Sequence, residues 1–247
     1  MKKVILIGSE GVLGSYYKKV LSKNSQIFLV VGDKKFKSKS NNVIQEIINL
    51  EDPKSIYRFF NKIKSKHGNF DVLINNAAYT TEGTKKSNKN FQDFELGTWQ
   101  KTIDINLTGT FLSCKYFFKF FHRKKISQKI INIGSIYGSS SPHHEIYDNQ
   151  NFFSNIAYSA SKSGLIGLTK WLSTKYINEN TNVNMVSPSG VFNKHNKTFL
   201  KNYLKIIPIN RMANPEDIYG VIEFLMSDKS QYITGQNYYV DGGFSSW

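Results

Sequence analysis

Short runs rich in β-branched residues recur along the chain, each followed by a stretch in which apolar positions return every three or four residues. The runs fall at 3–8, 27–31, 43–48, 72–75, 129–134, 183–186 and 237–240. Successive positions within them are apolar, which predicts strands buried on both faces and therefore parallel pairing. Helical patterns lie near 12–23, 53–66, 95–122, 155–177 and 215–227. Strands alternating with helices predict an α/β fold: a doubly wound parallel sheet of about seven strands. One crossover breaks the pattern. Only DKKFKSKSNN separates the second and third strands, too short and polar for a helix.

Composition narrows the class. The 247 residues are 40% hydrophobic and 21% charged, enough to bury a sizeable core in one domain spanning 1–247. The N-terminal apolar run breaks at Gly8, and YFFKFF at 116–121 is interrupted by Lys119. Neither can span a bilayer or form a signal-peptide core, so a cytoplasmic chain with no membrane partner is expected. The single cysteine, Cys114, excludes an internal disulfide and a cysteine-rich metal site, and it reads as a buried thiol. A net charge of +15 raises the question of a polyanionic partner. The positive charge is nearly all lysine, with Arg58, Arg123 and Arg211 the only arginines, and no nucleic-acid-binding motif appears. Solvated lysines are the better reading; no nucleic acid is expected, and the basicity suits an anionic small molecule.

VILIGSEGVLGS places Gly8, Gly11 and Gly14 between the first strand and the first helix. There, small residues let the backbone approach a pyrophosphate seated on the helix N-terminus, as in a dinucleotide-binding Rossmann fold. In another setting the same glycines would be a tight turn and nothing more. Ser9, Val12 and Leu13 complete the expected turn. Asp33, after the second strand, can accept hydrogen bonds from both adenosine ribose hydroxyls and repel a 2′-phosphate, which favours NAD over NADP. Glu10 adds negative charge; Lys34 and Lys35 oppose it.

Further along, NNAA at 75–78, DINLTGTF, a serine after the fifth strand, YSASK, SPSGV, RMANPEDI and the terminal YVDGG occur in order. The chain is identified by them as resembling the short-chain dehydrogenase/reductase family over essentially its whole length. The resemblance implies that Asn76, Ala77 and Ala78 flank the adenosine side of the cofactor, together with Asn49 and Leu50. It also implies that Asn106, Ser135, Tyr158 and Lys162 are the catalytic residues, with Asn106 positioning a water, and that Pro188, Gly190 and Val191 line the nicotinamide site. Three features depart from the family: the glycine spacing is that of its extended, sugar-nucleotide branch, Asn49-Leu50 replaces the usual aspartate, and Ser189 separates Pro188 from Gly190.

The chemistry has its own physical basis. Alcohol oxidation by hydride transfer needs a proton acceptor, and a free tyrosine, with a pKa of about 10, is a poor base at neutral pH. Lys162 lies four residues after Tyr158 on one helix face, where its ammonium stabilises phenolate. Ser135 can hold the substrate oxygen and stabilise charge developing on it. A Tyr–Lys pair in isolation would be an ordinary amphipathic surface. No histidine or acid stands beside Ser135 in a hydrolase setting, and His143 and His144 lack metal-site spacing, so no metal is expected.

Substrate is read from three segments: the loop after Ala78, the insert at 138–155 between Ser135 and Tyr158, and the stretch after Gly190. The insert is about twice the length the family uses. It carries His143, His144, Glu145, Tyr147, Asp148, Asn149, Gln150 and Asn151, with Phe152 and Phe153 as stacking faces. Together with Tyr137 in GSIYG, these predict a sugar, sugar phosphate or nucleotide sugar, in the manner of family members from bacterial surface-sugar pathways. A 3-oxoacyl-thioester or small-alcohol reductase and a non-catalytic dinucleotide sensor are the alternatives. The family also implies a homo-oligomer formed through the helices near 95–122 and 155–177, and the 244–247 tail is a candidate to reach across such an interface.

Overall fold

The computed structural model describes residues 1–40, 42–80, 91–147 and 154–246. Seven strands form one parallel sheet: β1 (Lys2–Ile7), β2 (Ile27–Asp33), β3 (Ile44–Ile47), β4 (Val72–Asn75), β5 (Gln128–Ile133), β6 (Thr181–Pro188) and β7 (Asn237–Val240). Their spatial order is β3-β2-β1-β4-β5-β6-β7. The order reverses between β1 and β4, and the crevice outside the C-terminal ends of the strands at such a reversal is where ligands bind in this architecture.

Alternation along β1 explains the two layers. Val4 and Leu6 pack on one face with Tyr17 and Leu21 of α1 (Val12–Leu21) and Ile218, Ile222 and Leu225 of α7 (Pro215–Met226). Ile5 and Ile7 face the other way, towards Phe59, Phe60 and Ile63 of α2 (Pro53–His67) and Phe117 and Phe121 of α4 (Gly109–Phe121). Each such side chain, fully buried, contributes roughly 1.5–3 kcal/mol. The inner strands are buried as expected, but β3 and β7 are edge strands and only half-buried; Ile47 is exposed.

No helix occurs among the described residues between β2 and β3, in keeping with its polar sequence. Elsewhere the structure departs from the sequence pattern. Strand β6 runs beyond its apolar centre because Asn182 and Asn184 donate to the carbonyls of Gln231 and Ile233, which satisfies them inside the sheet layer. The long helix expected over 95–122 is interrupted: α3 (Leu96–Ile103) leads into a π-helical turn over Asp104–Thr108 before α4. Gly109 N–H bonds back five residues to the carbonyl of Asp104, the mark of a π turn, and such turns concentrate at functional sites. A further helix, α6 (Lys197–Leu204), begins where Asn196 accepts from Phe199 N–H. Its single apolar face is two turns long, too short to announce itself in the pattern.

The aromatic run on α4 is accounted for largely within the chain. Phe117 and Phe121 are fully buried, and Phe118 stacks on Tyr176 at 3.7 Å. Cys114 is buried, and burial pushes its thiol up to about 12. Phe244 is also buried, against Ile207 and Met212, so that ring does not reach outward as the tail was expected to; Trp247 lies outside the described residues. No described helix is long and apolar enough to cross a membrane.

Candidate functional site

Two cavities sit end to end along the C-terminal edges of β1, β4, β5 and β6, sharing Leu13, Asn76, Ala78, Thr80 and Val191 as their common wall. The larger, about 590 Å³, lies over the glycine turn; the smaller, about 240 Å³, lies over the ends of β5 and β6.

The glycine turn is shaped by close approaches that admit no side chain. Gly8 has φ +88°, and a Cβ there would fall 2.4 Å from Ala77 Cα; a Cβ on Gly14 would fall 1.9 Å from the Gly8 carbonyl oxygen. Asn76 Nδ2 donates to that same carbonyl at 2.6 Å, tying the turn to the end of β4. At the far end, Asp33 Oδ2 accepts from Glu10 N–H (2.9 Å) and Oδ1 from Lys34 N–H (2.8 Å). Each carboxylate oxygen keeps a lone pair for a ligand hydroxyl. Two neighbouring lysines are paired with carboxylates: Lys18 with Glu10, and Lys34 with Glu51 at 2.8 Å. Lysine contacts hold the Glu10 carboxyl below its usual range against the opposing effect of burial, the largest single influence. Gly8, Gly11, Val12, Leu13, Asp33, Asn49, Leu50, Asn76, Ala77, Ala78 and Val191 all line this cavity. Ser9 and Gly14 are not on its wall; Ser9 is fully buried. The set fits a dinucleotide: backbone N–H groups at a helix start, carboxylates at the ribose end and an apolar floor.

The smaller cavity gathers Ser135, Tyr137, Tyr147, Tyr158, Lys162, Pro188, Gly190 and Val191. Ser135 follows β5, and its Oγ accepts from Tyr137 N–H at 3.2 Å. Helix α5 (Ile156–Lys175) is capped by Asn155, whose side chain accepts from Ala157 and Tyr158 N–H, so Tyr158 stands in its first turn. One turn later Lys162 is 2% exposed, donates from Nζ to the Ile133 carbonyl at 2.7 Å, and lies 5.6 Å from the centre of the Tyr158 ring. Burial brings its pKa down to about 8.

Asn106, carried on the π turn, is fully buried and lines neither cavity. Its Oδ1 accepts from Tyr79 N–H (2.6 Å), while Nδ2 donates to the Tyr79 carbonyl and to Ser161 Oγ, each at 3.1 Å. Both amide hydrogens are thereby used to hold Tyr79 against α5.

His143 and His144 lie away from the smaller cavity. Both are exposed: His143 packs edge-on against Phe244, and His144 lines a separate serine-rich hollow behind Tyr137. A chain turn at 144–147 buries Ile146 and Tyr147 in place of the histidines. Asp148, Asn149, Gln150, Asn151, Phe152 and Phe153 lie outside the described residues, as does 81–90 of the loop after Ala78. His195, Phe199, Tyr203, Met212 and Thr80 also line the smaller cavity, though none was singled out in the sequence.

The fold and this groove define a dinucleotide-dependent oxidoreductase. A family model described as enoyl-(acyl carrier protein) reductase matches residues 34–245. The chain is 33% identical, over 98% of its length and 96% of the relative's, to a 3-oxoacyl-(acyl-carrier-protein) reductase FabG of Rickettsia typhi. It is 35% identical to the post-translational flagellin modification protein A of Campylobacter coli, over 58% of this chain and 56% of that one. Among solved structures, a short chain dehydrogenase from Leptospira borgpetersenii with bound NAD+ superposes with a TM-score of 0.88 at 31% identity, covering 99% of this chain and 92% of that one. The chain belongs to the short-chain dehydrogenase/reductase family.

Proposed function

We propose that the chain is an NAD-dependent oxidoreductase acting on a secondary hydroxyl or ketone of a sugar, sugar phosphate or nucleotide sugar in surface-glycan biosynthesis. The observation that carries the chemistry is the burial of Lys162 beside Tyr158 in the smaller cavity. A bound nicotinamide supplies the hydride acceptor or donor. Tyr158 takes the hydroxyl proton in oxidation and returns it in reduction, and the Lys162 ammonium stabilises the phenolate between these events. Ser135 Oγ donates to the substrate oxygen as charge develops there. Asn106 sets the distance between residue 79 and α5, a positioning role.

NAD, not NADP, is supported by Asp33 and by the pairing of Lys18 and Lys34 with carboxylates at the ribose end. It is supported also by the NAD+ held by the Leptospira relative. A sugar-like substrate is supported by the cavity wall: the hydroxyls of Tyr137 and Tyr147 stand 3.3 Å apart, and aromatic faces on α6 suit the apolar face of a sugar ring. The second reading, a 3-oxoacyl-thioester reductase, is favoured by the name of the full-length FabG relative and by Leu13, Ile136 and Met212 on the same wall. Phe111 on α4 and Trp171 on α5, both exposed, support assembly of copies through those helices.

The test follows NADH absorbance with the purified chain against glucose 1-phosphate, UDP-glucose and related sugars, and against acetoacetyl-coenzyme A. Turnover of a sugar with NAD is expected; activity confined to the thioester with NADPH overturns the reading. Tyr158→Phe should lower kcat by about 10²–10⁴ while leaving NAD binding intact. An unchanged kcat would remove Tyr158 from the chemistry, and NAD binding without turnover of any substrate would leave the dinucleotide sensor.

A further inference from the structure

A ladder of three rings lines the smaller cavity. His195 stacks on Phe199 with ring centres 4.9 Å apart and planes 22° from parallel; Phe199 stacks on Tyr203 at 5.7 Å and 25°. The ladder is anchored at its far end, where Tyr203 Oη accepts from Gly190 N–H at 2.6 Å. Gly190 itself lines the cavity, and a Cβ there would lie 2.7 Å from that hydroxyl, so only glycine lets Tyr203 come this close. The wall is therefore fixed to the Pro188–Val191 segment that joins the two cavities.

His195 is held at the open end by its own turn. Asn193 N–H donates to His195 Nδ1 at 3.2 Å, across Lys194, which has φ +53°. A lysine in the left-handed region is uncommon and is retained where the surroundings demand that turn. Because Nδ1 accepts, the ring hydrogen resides on Nε2. Burial lowers the His195 pKa, which favours this neutral form. Among the described residues nothing accepts from Nε2, and the ring lines the cavity.

We propose that His195 is a substrate-recognition residue: with its plane held by Phe199, its Nε2–H donates to an oxygen of the substrate remote from the reacting carbon. This rests on the oxidoreductase reading and refines its substrate class, to a molecule with a hydroxyl or carbonyl oxygen within reach of the α6 wall when its reacting oxygen is at Ser135. A purely aliphatic chain offers no such acceptor.

Two measurements test it. Side-chain ¹⁵N spectra of the whole protein at pH 8 should show His195 as the Nε2–H tautomer; a predominant Nδ1–H form overturns the proposal. Steady-state kinetics with glucose 1-phosphate, UDP-glucose and glucose then compare wild type, His195→Phe and His195→Gln on whichever sugar has the lowest KM. His195→Phe keeps the stack and loses the donor, so KM should rise about tenfold with kcat within threefold, and His195→Gln, which restores a donor, should recover most of the loss. A KM within twofold of wild type in His195→Phe overturns the proposal. If wild type turns over none of these sugars but reduces acetoacetyl-coenzyme A, the sugar reading falls. The same variants on that substrate then decide the role of His195 separately: a raised KM supports the donor and an unchanged KM overturns it.

Discussion

Replacing Lys162 by methionine should remove activity without weakening the fold, because the lysine is held where a charge is unfavourable. Its pKa falls from the ordinary 10.5 to about 8 through burial. That difference, 10.5 − 8 = 2.5 units, corresponds to about 3 kcal/mol at 1.36 kcal/mol per unit. At pH 7 the lysine is protonated in both folded and unfolded chains, so wild type carries the whole penalty. Lys162→Met relieves it but leaves the Ile133 carbonyl without its donor, a loss of about 1–3 kcal/mol. The variant should therefore lie between neutral and about 2 kcal/mol more stable than wild type at pH 7. The sign with pH follows from linkage. Between the folded pKa near 8 and the unfolded value of 10.5 the unfolded chain holds the extra proton, so wild-type stability rises with pH relative to the variant, by up to 1.36 kcal/mol per unit. Above 10.5 the penalty is gone. Urea unfolding of both proteins from pH 7 to 10.5 measures the gap, and groups that do not interact with Lys162 cancel in the difference. A gap that stays constant across that range refutes the reasoning, as does a variant several kcal/mol less stable at pH 7.

Two other substitutions probe the larger cavity. Asp33→Asn removes one negative charge where a 2′-phosphate would lie, a repulsion of about 1–3 kcal/mol; the ratio of kcat/KM for NADP to that for NAD should rise ten- to a hundredfold, and an unchanged ratio removes Asp33 from cofactor choice. Gly14→Ala forces its Cβ to within 1.9 Å of the Gly8 carbonyl. It should lower Tm and abolish the rise in Tm that NAD gives wild type; retention of both would show that the turn has room the packing denies.

How much of this was legible beforehand varies by element. The strands announced themselves because parallel strands covered on both faces carry runs of successive apolar residues, as Val4–Ile7 of β1 and Val72–Ile74 of β4 do. Tyr158 and Lys162 were legible because a helix brings residues four apart onto one face whatever surrounds them. That no helix stands among the described residues between β2 and β3 followed from the polar sequence there. Less local features were not legible. Nothing in the sequence around Asn106 distinguishes a π turn from an α-helix, since the difference is one hydrogen bond decided by its contacts with Tyr79 and Ser161. His143 and His144 looked like the better pocket residues by position between Ser135 and Tyr158. The chain instead turns Ile146 and Tyr147 inward and leaves the histidines outside.

By itself, then, the sequence determined the sheet, the glycine turn and the pairing of Tyr158 with Lys162, because each depends on periodicity or on a residue type at a short fixed spacing. Only the tertiary structure decided which polar side chains share the smaller cavity. His195 is 60 residues from Ser135 along the chain (195 − 135) and shares its cavity where Tyr203 of α6 is tied to Gly190 beyond β6. Tertiary structure likewise decided that Lys162 is buried far enough to lower its pKa, since desolvation depends on everything packed around the amine and on no short stretch of sequence.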